Sequence, residues 1–142
     1  MIKDDEKLNR FLQAQEQQYV IALYELANGQ KTTHWIWFIF PQLTDLGHSE
    51  TAKFYGLNDK YEATDYLNHP YLGSRYYECC RALMFHAGKS IQAIMGSEVD
   101  AQKLRSSLTL MQIAGADDIV EQCLMTFYNG NPCVYTKQLL KA

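Results

Sequence analysis

Apolar side chains recur along most of this chain at the three- and four-residue steps that one face of an α-helix requires, and the two-residue alternation of a half-buried strand is nearly absent. Leu8, Phe11, Leu12, Tyr19, Leu23, Leu26 and Ala27 mark one such face. Gln13, Gln15, Glu16, Gln17 and Gln18 fall between them, and Asn28-Gly29 supplies a stop, so the spacing predicts a long amphipathic helix over 8–27. Ser49 and Gly56 bracket a short helix. Asn58 or Asp59 opens another helix that runs to Leu67, since Asp59 with Glu62 has capping-box spacing. Pro70 is tolerated in a first turn and pushes its predecessor into extended backbone, so it opens a helix to about His86 that buries Leu72, Tyr76, Cys79, Cys80, Leu83 and Met84. Ser90 caps 91–95, which ends at Gly96. Ser97 or Asp100 caps a helix over 101–114 with Leu104, Leu108, Met111 and Ile113 inward. Asp117-Asp118 opens a helix through Tyr128 that Asn129-Gly130 ends, and a last short helix covers 135–140.

The stretch from His34 to Leu43 breaks this rhythm. It gathers both tryptophans, Phe38, Phe40 and His34 into an uncharged run closed by Pro41-Gln42. The run is too short to span a bilayer and too apolar for an exposed surface, so it belongs in the core or along a pocket with His34 and Gln42 as polar ends. Thr32-Thr33 is a cap candidate, and about two helical turns fit before Pro41; a buried β-strand is the weaker alternative, because no partner strand is evident. Eight or nine helices with no internal repeat and no Pro/Gly/Ser-rich linker predict a compact all-α array, one domain over 1–142 with residues 1–6 frayed.

Composition narrows the class further. A chain of 142 residues, 47% hydrophobic and 20% charged, has globular proportions and needs no metal or disulfide to hold a core. The net charge of -3 lacks the Lys/Arg surplus that displaces counterions from phosphate backbones, so nucleic acid is not an expected partner. The polar, acidic start has no apolar segment behind it, which predicts a cytoplasmic protein with no membrane partner. Cys79, Cys80, Cys123 and Cys133 form no CxxC pair and have no histidine at zinc-ligand spacing, so reduced thiols and no metal or cofactor are expected. On a helix, Cys79 and Cys80 point about 100° apart, which predicts one buried thiol and one at the flank.

Four segments taken together, His34 to Leu43, Leu46-Gly47-His48-Ser49, Tyr66 to Gly73 and Lys103 to Leu110, carry a resemblance. Over about Leu8 to Leu140 the chain is similar to domain of unknown function family eighteen-ten, small all-α bacterial proteins that sometimes carry a calpastatin-like label. Departures lie at Gln30-Lys31-Thr32-Thr33, where relatives are often more basic, and at Glu98-Val99, where a proline commonly follows the serine. The resemblance implies a fold and brings no activity, substrate or cofactor with it.

Candidate chemistry therefore rests on residue types. No GxSxG, GxxxxGK[ST], GxGxxG or HExxH pattern occurs, and the carboxylates cluster at helix starts where capping explains them. A mid-helix Cys79 or Cys80 is expected to be packed and inert. Lys103, Ser106 and Ser107 stand at i, i+3 and i+4 and share a helical face that could hold a phosphate or carboxylate, or serve only solvent and close packing. His69 precedes a helix start with Arg75 on its early turns, an arrangement that suits an anion or a backbone cap. His34 at the rim of an aromatic pocket could act as an acid or base, or sit buried against a carbonyl. The reading that unites these residues is a module binding a small anionic, nucleotide-like or phosphorylated ligand between Trp35, Trp37 and Phe38, with Gln42, His69, Arg75, Lys103, Ser106 and Ser107 as polar contacts. The alternatives are a hydrolase using His34 or His69 as general base and a helical interaction adaptor.

Overall fold

Four helices begin where a capping side chain meets their first-turn amides. The computed structural model describes residues 7–142, so the expected fraying of 1–6 lies outside the described residues. Within them run α1 (Asn9–Ala27), α2 (Ile36–Ile39), a 3₁₀ turn (Thr44–Leu46), α3 (Glu50–Phe54), α4 (Lys60–Asn68), α5 (Leu72–Met84), α6 (Ile91–Met95), α7 (Glu98–Ile113), α8 (Asp118–Tyr128) and α9 (Val134–Leu140). The side chains of Ser49, Asp59, Ser90 and Ser97 accept from the amides of Ala52, Glu62, Ala93 and Asp100 at 3.0, 2.9, 3.2 and 3.1 Å. Each satisfies a donor that the helix cannot, a contribution of about 1 kcal/mol. Asn129, at φ 54°, closes α8 in the left-handed conformation that asparagine tolerates. Among the described residues there is no strand, and the array is all-α as the periodicity predicts.

Three details differ from expectation. The aromatic run makes one turn of helix rather than two, because Trp35 has extended-like φ at one end and Pro41 lies just beyond the other. Past Pro41 the chain forms a single parallel bridge with Leu57, in which Thr44 N donates to Leu57 O at 2.8 Å and Leu57 N to Gln42 O at 2.9 Å. The helix expected from Pro70 begins at Leu72, since the His69 imidazole Nδ1 accepts from the amides of Tyr71 and Leu72 at 3.1 and 3.3 Å and acts as the cap itself. Cys79 and Cys80 are both fully buried, the first among the core residues of α5 and the second near Cys123, which donates to its carbonyl.

The core is rich in aromatic edges. Phe11 meets Tyr66 edge-on at 5.1 Å and Phe40 meets Tyr76 at 5.4 Å, while the two tyrosines lie 6.2 Å apart. Their hydroxyls need partners. Tyr76 shares a 2.9 Å hydrogen bond with Ser107, and Tyr66 lies 3.0 Å from Gln15 Nε2, which also donates to the Phe38 carbonyl at 2.7 Å. Gln15, placed by the sequence among the polar residues of α1, is thus 2% exposed and ties α1 to the aromatic run and α4.

A second polar clamp fixes the entrance to the run. The Glu25 carboxylate accepts from the amides of Thr32 and Thr33, the Thr33 hydroxyl and Trp35 Nε1, at 2.7 to 3.0 Å. Burial works against its charged form, but these four donors outweigh it and hold the carboxyl at about 2. Lys31 is paired with Asp100 at 2.8 Å and lies over the Trp35 ring, so a buried cation has both a carboxylate and an aromatic face.

Candidate functional site

The bridge at Leu43 and the 3₁₀ turn after it keep Leu43 in the core while Gln42, Asp45, Leu46 and His48 line a surface cleft, and the chain after α8 returns to lay α9 beside α7 and the 3₁₀ turn. Between these three segments lies a cleft of about 740 Å³. Gln42, Asp45, Leu46 and His48 form one wall. Glu98, Val99, Gln102, Lys103 and Ser106 of α7 form the floor, and Cys133, Tyr135, Gln138 and Leu139 the other wall. The size suits a small molecule, and Leu46, Val99, Tyr135 and Leu139 give it an apolar body with a few polar groups set into it.

Lys103 is the cation of this cleft. Its stem is half-buried and its Nζ lies 5.1 Å from the centroid of the Trp37 ring. Among the described residues it forms no ion pair, the pairs there being Arg10–Glu62 and Lys31–Asp100. Trp37 supports it from beneath; the indole Nε1 is enclosed and has no hydrogen-bond partner among the described residues. One helical turn further on, Ser106 Oγ lies 3.1 Å from the Gln102 carbonyl and 3.3 Å from Cys133 Sγ. Burial raises the affinity of the Cys133 thiol for its proton, yet the Ser106 hydroxyl, the Thr136 hydroxyl and the amides of Thr136 and Tyr135 outweigh it and hold the thiol below its ordinary range. Asp45 and Glu98 bring two carboxylates to the same cleft, so its lining has more negative than positive charge.

The structure divides the residues expected to share a site. Gln42, Lys103 and Ser106 converge in the cleft with Trp37 behind them. Trp35 at 0% and Phe38 at 7% exposure face the core, and Ser107 is fully buried against Tyr76. His69 and Arg75 sit together at the start of α5. There the guanidinium lies over Tyr19 and Tyr71 and donates to Gln15 Oε1 at 3.3 Å, outside the cleft lining. His34 is exposed rather than buried against a carbonyl. Among the described residues no group of three or more His, Cys, Asp or Glu could hold a metal ion, and no helix is long and apolar enough to cross a membrane.

Sequence reasoning missed the third wall. Cys133 falls between Pro132 and a short helix, where no periodicity picks it out, and its contact with Ser106 spans 27 residues. The traceable signal was on α7, where Lys103 and Ser106 stand one turn apart on the face left over once Leu104, Leu108 and Met111 turn inward.

Comparison with known proteins adds a fold and a family. Residues 5–140 match the family described as "Protein of unknown function (DUF1810)". A solved structure described as the conserved hypothetical protein Rv1873 from Mycobacterium tuberculosis is similar over 95% of this chain and 96% of that one, with 40% identity and a TM-score of 0.91. Among curated proteins none matches.

Proposed function

The chain belongs to the family described as "Protein of unknown function (DUF1810)", and we propose that it binds a small ligand in the cleft, one with an apolar or planar body and a single anionic group such as a nucleoside monophosphate. The observation that carries this reading is Lys103, a half-buried residue on the cleft floor whose ammonium lies over Trp37 and, among the described residues, pairs with no carboxylate. A cation set into a concave, largely apolar cleft and lacking a counter-ion among the described residues favours an anion from outside. Gln42 and Ser106 add donors and acceptors nearby, and Leu46, Val99 and Leu139 offer apolar contact to the ligand body. Asp45 and Glu98 oppose further negative charge, so a polyphosphate gains nothing over a monophosphate. Because neither His34 nor His69 lines the cleft, the arrangement favours binding over hydrolysis at those bases.

Titration calorimetry with adenosine, AMP and ATP tests the reading. AMP is expected to bind at least about tenfold more tightly than adenosine, from one charge-assisted contact of about 1.5–3 kcal/mol, with ATP no tighter than AMP. Lys103→Met keeps an unbranched side chain over Trp37 and is expected to reduce AMP to the adenosine level with Tm unchanged. Equal affinities of AMP and adenosine, or no effect of Lys103→Met, would refute it.

A further inference from the structure

The surface shared by α1, α5 and α8 is apolar where an outward helix face is ordinarily polar. On α1, Val20, Leu23, Tyr24 and Ala27 stand at i, i+3, i+4 and i+7 and so share one side, away from the side that buries Ala22, Glu25 and Leu26. Val20 is 74% exposed and Tyr24 67%. Phe85, one residue past α5, is 85% exposed, and Met125 of α8 is exposed as well. Single apolar residues are normal on a surface, but concavities join these into one patch. Leu23 and Ala27, Ala82, Met84 and Phe85 at the end of α5, and Ile119 of α8 line a groove of about 630 Å³. Met84 also lines a second hollow of about 430 Å³, together with Met125. The two concavities therefore adjoin across the end of α5.

The charges around this patch decide what fits over it. Glu78 and Arg81 line the groove, and Asp118 and Glu121 line the hollow. Glu16 stands one turn before Val20 on the same side of α1. Lys89, near the end of α1, has its ammonium on the Gly29 carbonyl at 2.7 Å. Four carboxylates thus stand against two cations, and the patch shares the negative sign of the whole chain, which carries -3. A second copy docking through the same face would set carboxylates against carboxylates, and an anionic lipid surface would be repelled in the same way. An apolar groove with an acidic border is complementary to a helix that carries apolar side chains along one side and Lys or Arg beside them.

We propose that this face is the docking site for a basic amphipathic α-helix of another protein. The helix lies in the groove between the end of α1 and the end of α5. Its apolar side chains, at i, i+3 or i+4 and i+7, meet Leu23, Ala27, Met84 and Phe85, and its Lys or Arg side chains reach Glu78, Asp118 and Glu121. The unbranched side chains of Met84 and Met125 adapt to the shape of what enters. No residue of this face lines the cleft beside α7, so the docking site stands independently of the Lys103 reading.

Fluorescence anisotropy of the full chain with three labelled peptides of about 16 residues, long enough to form a helix, tests the proposal. The first has Leu along one helical side and Lys along the other, the second has Glu in place of Lys, and the third has the composition of the first with its Leu spread around the helix. The Leu/Lys helix is expected to bind at least about tenfold more tightly than either of the others at low salt, and its margin over the Leu/Glu helix shrinks as ionic strength rises. Phe85→Ser and Val20→Ser are each expected to weaken it at least about fivefold with Tm unchanged. Tyr61→Ser, at an exposed aromatic of α4 outside the face, leaves it unaltered. Glu121→Lys narrows the gap between the Leu/Lys and Leu/Glu helices. The proposal is overturned by equal affinity for those two helices, by an affinity that neither Phe85→Ser nor Val20→Ser changes, or by no binding of the Leu/Lys helix at about 100 μM. A dimer in sedimentation velocity that Phe85→Ser disperses would assign the face to a second copy and overturn it equally.

Discussion

Replacing Glu25 by glutamine tests the clamp that seats the aromatic run. One carboxylate oxygen receives Thr32 N, Thr33 N and Trp35 Nε1, and the other receives the Thr33 hydroxyl. Glutamine can keep its carbonyl oxygen beneath the first three, and the Thr33 hydroxyl can turn to accept from the new amide, so the substitution removes charge with little change of shape. The lowering of the carboxyl from 4.5 to about 2 measures the advantage of the charged form. At about 1.4 kcal/mol per pH unit this is worth roughly 3 kcal/mol near neutral pH. The sign follows from the depression: the stabilisation is complete above the unfolded value and is lost as pH falls through the folded one. Urea unfolding of wild type and Glu25→Gln is therefore expected to give a difference of about 3 kcal/mol near pH 7, about half of that near pH 3, and little at pH 2. Because both proteins carry every other titrating group, their difference isolates Glu25. A difference that stays constant between those limits would refute the assignment of the stabilisation to ionisation. Glu25→Ala leaves the Trp35 indole N–H and two amides without their acceptor, and its cost is expected to be larger, about 3–5 kcal/mol.

Two further substitutions probe the same core. A Cβ built on Gly73 would lie 1.9 Å from the Leu67 carbonyl oxygen, a backbone atom that cannot step aside without parting α4 from α5, so Gly73→Ala is expected to lower Tm by more than 10 °C in a calorimetric scan. Gln15→Leu removes the donor to the Phe38 carbonyl and the partner of Tyr66 and Arg75, and its cost is expected at about 2–3 kcal/mol by urea unfolding; a neutral result would show that water replaces the amide there.

The sequence carried the helices because their signals are local. Ser49, Asp59, Ser90 and Ser97 each cap the helix that their spacing to an apolar face suggests, and the Asn129-Gly130 stop falls one residue past Tyr128. What it could not carry was partnership across distance. Nothing near Gln15 in the chain announces that Phe38 and Tyr66 will take its amide, and nothing near His34-Trp35 announces that Glu25 waits for the indole. The candidate site divided on the same principle. Lys103 and Ser106 share a face by helical geometry alone, but the register that sends Ser107 inward to Tyr76, and the return of the chain that brings Cys133 to Ser106, are set by packing. Residue type alone groups His69 and Arg75 with the tryptophans, whereas the fold keeps them with Tyr19 and Tyr71 at the head of α5.

The two tryptophans, separated by one residue, occupy unlike surroundings: Trp35 is fully enclosed with its indole N–H on a carboxylate, and Trp37 is half-buried under an ammonium beside the cleft. Their light emission is consequently split between two reports. Exchanging Trp35 for phenylalanine would leave a single fluorophore whose colour and quenching follow events at the Lys103 ammonium, and the reciprocal exchange would leave one that stays silent until the clamp at Glu25 lets go.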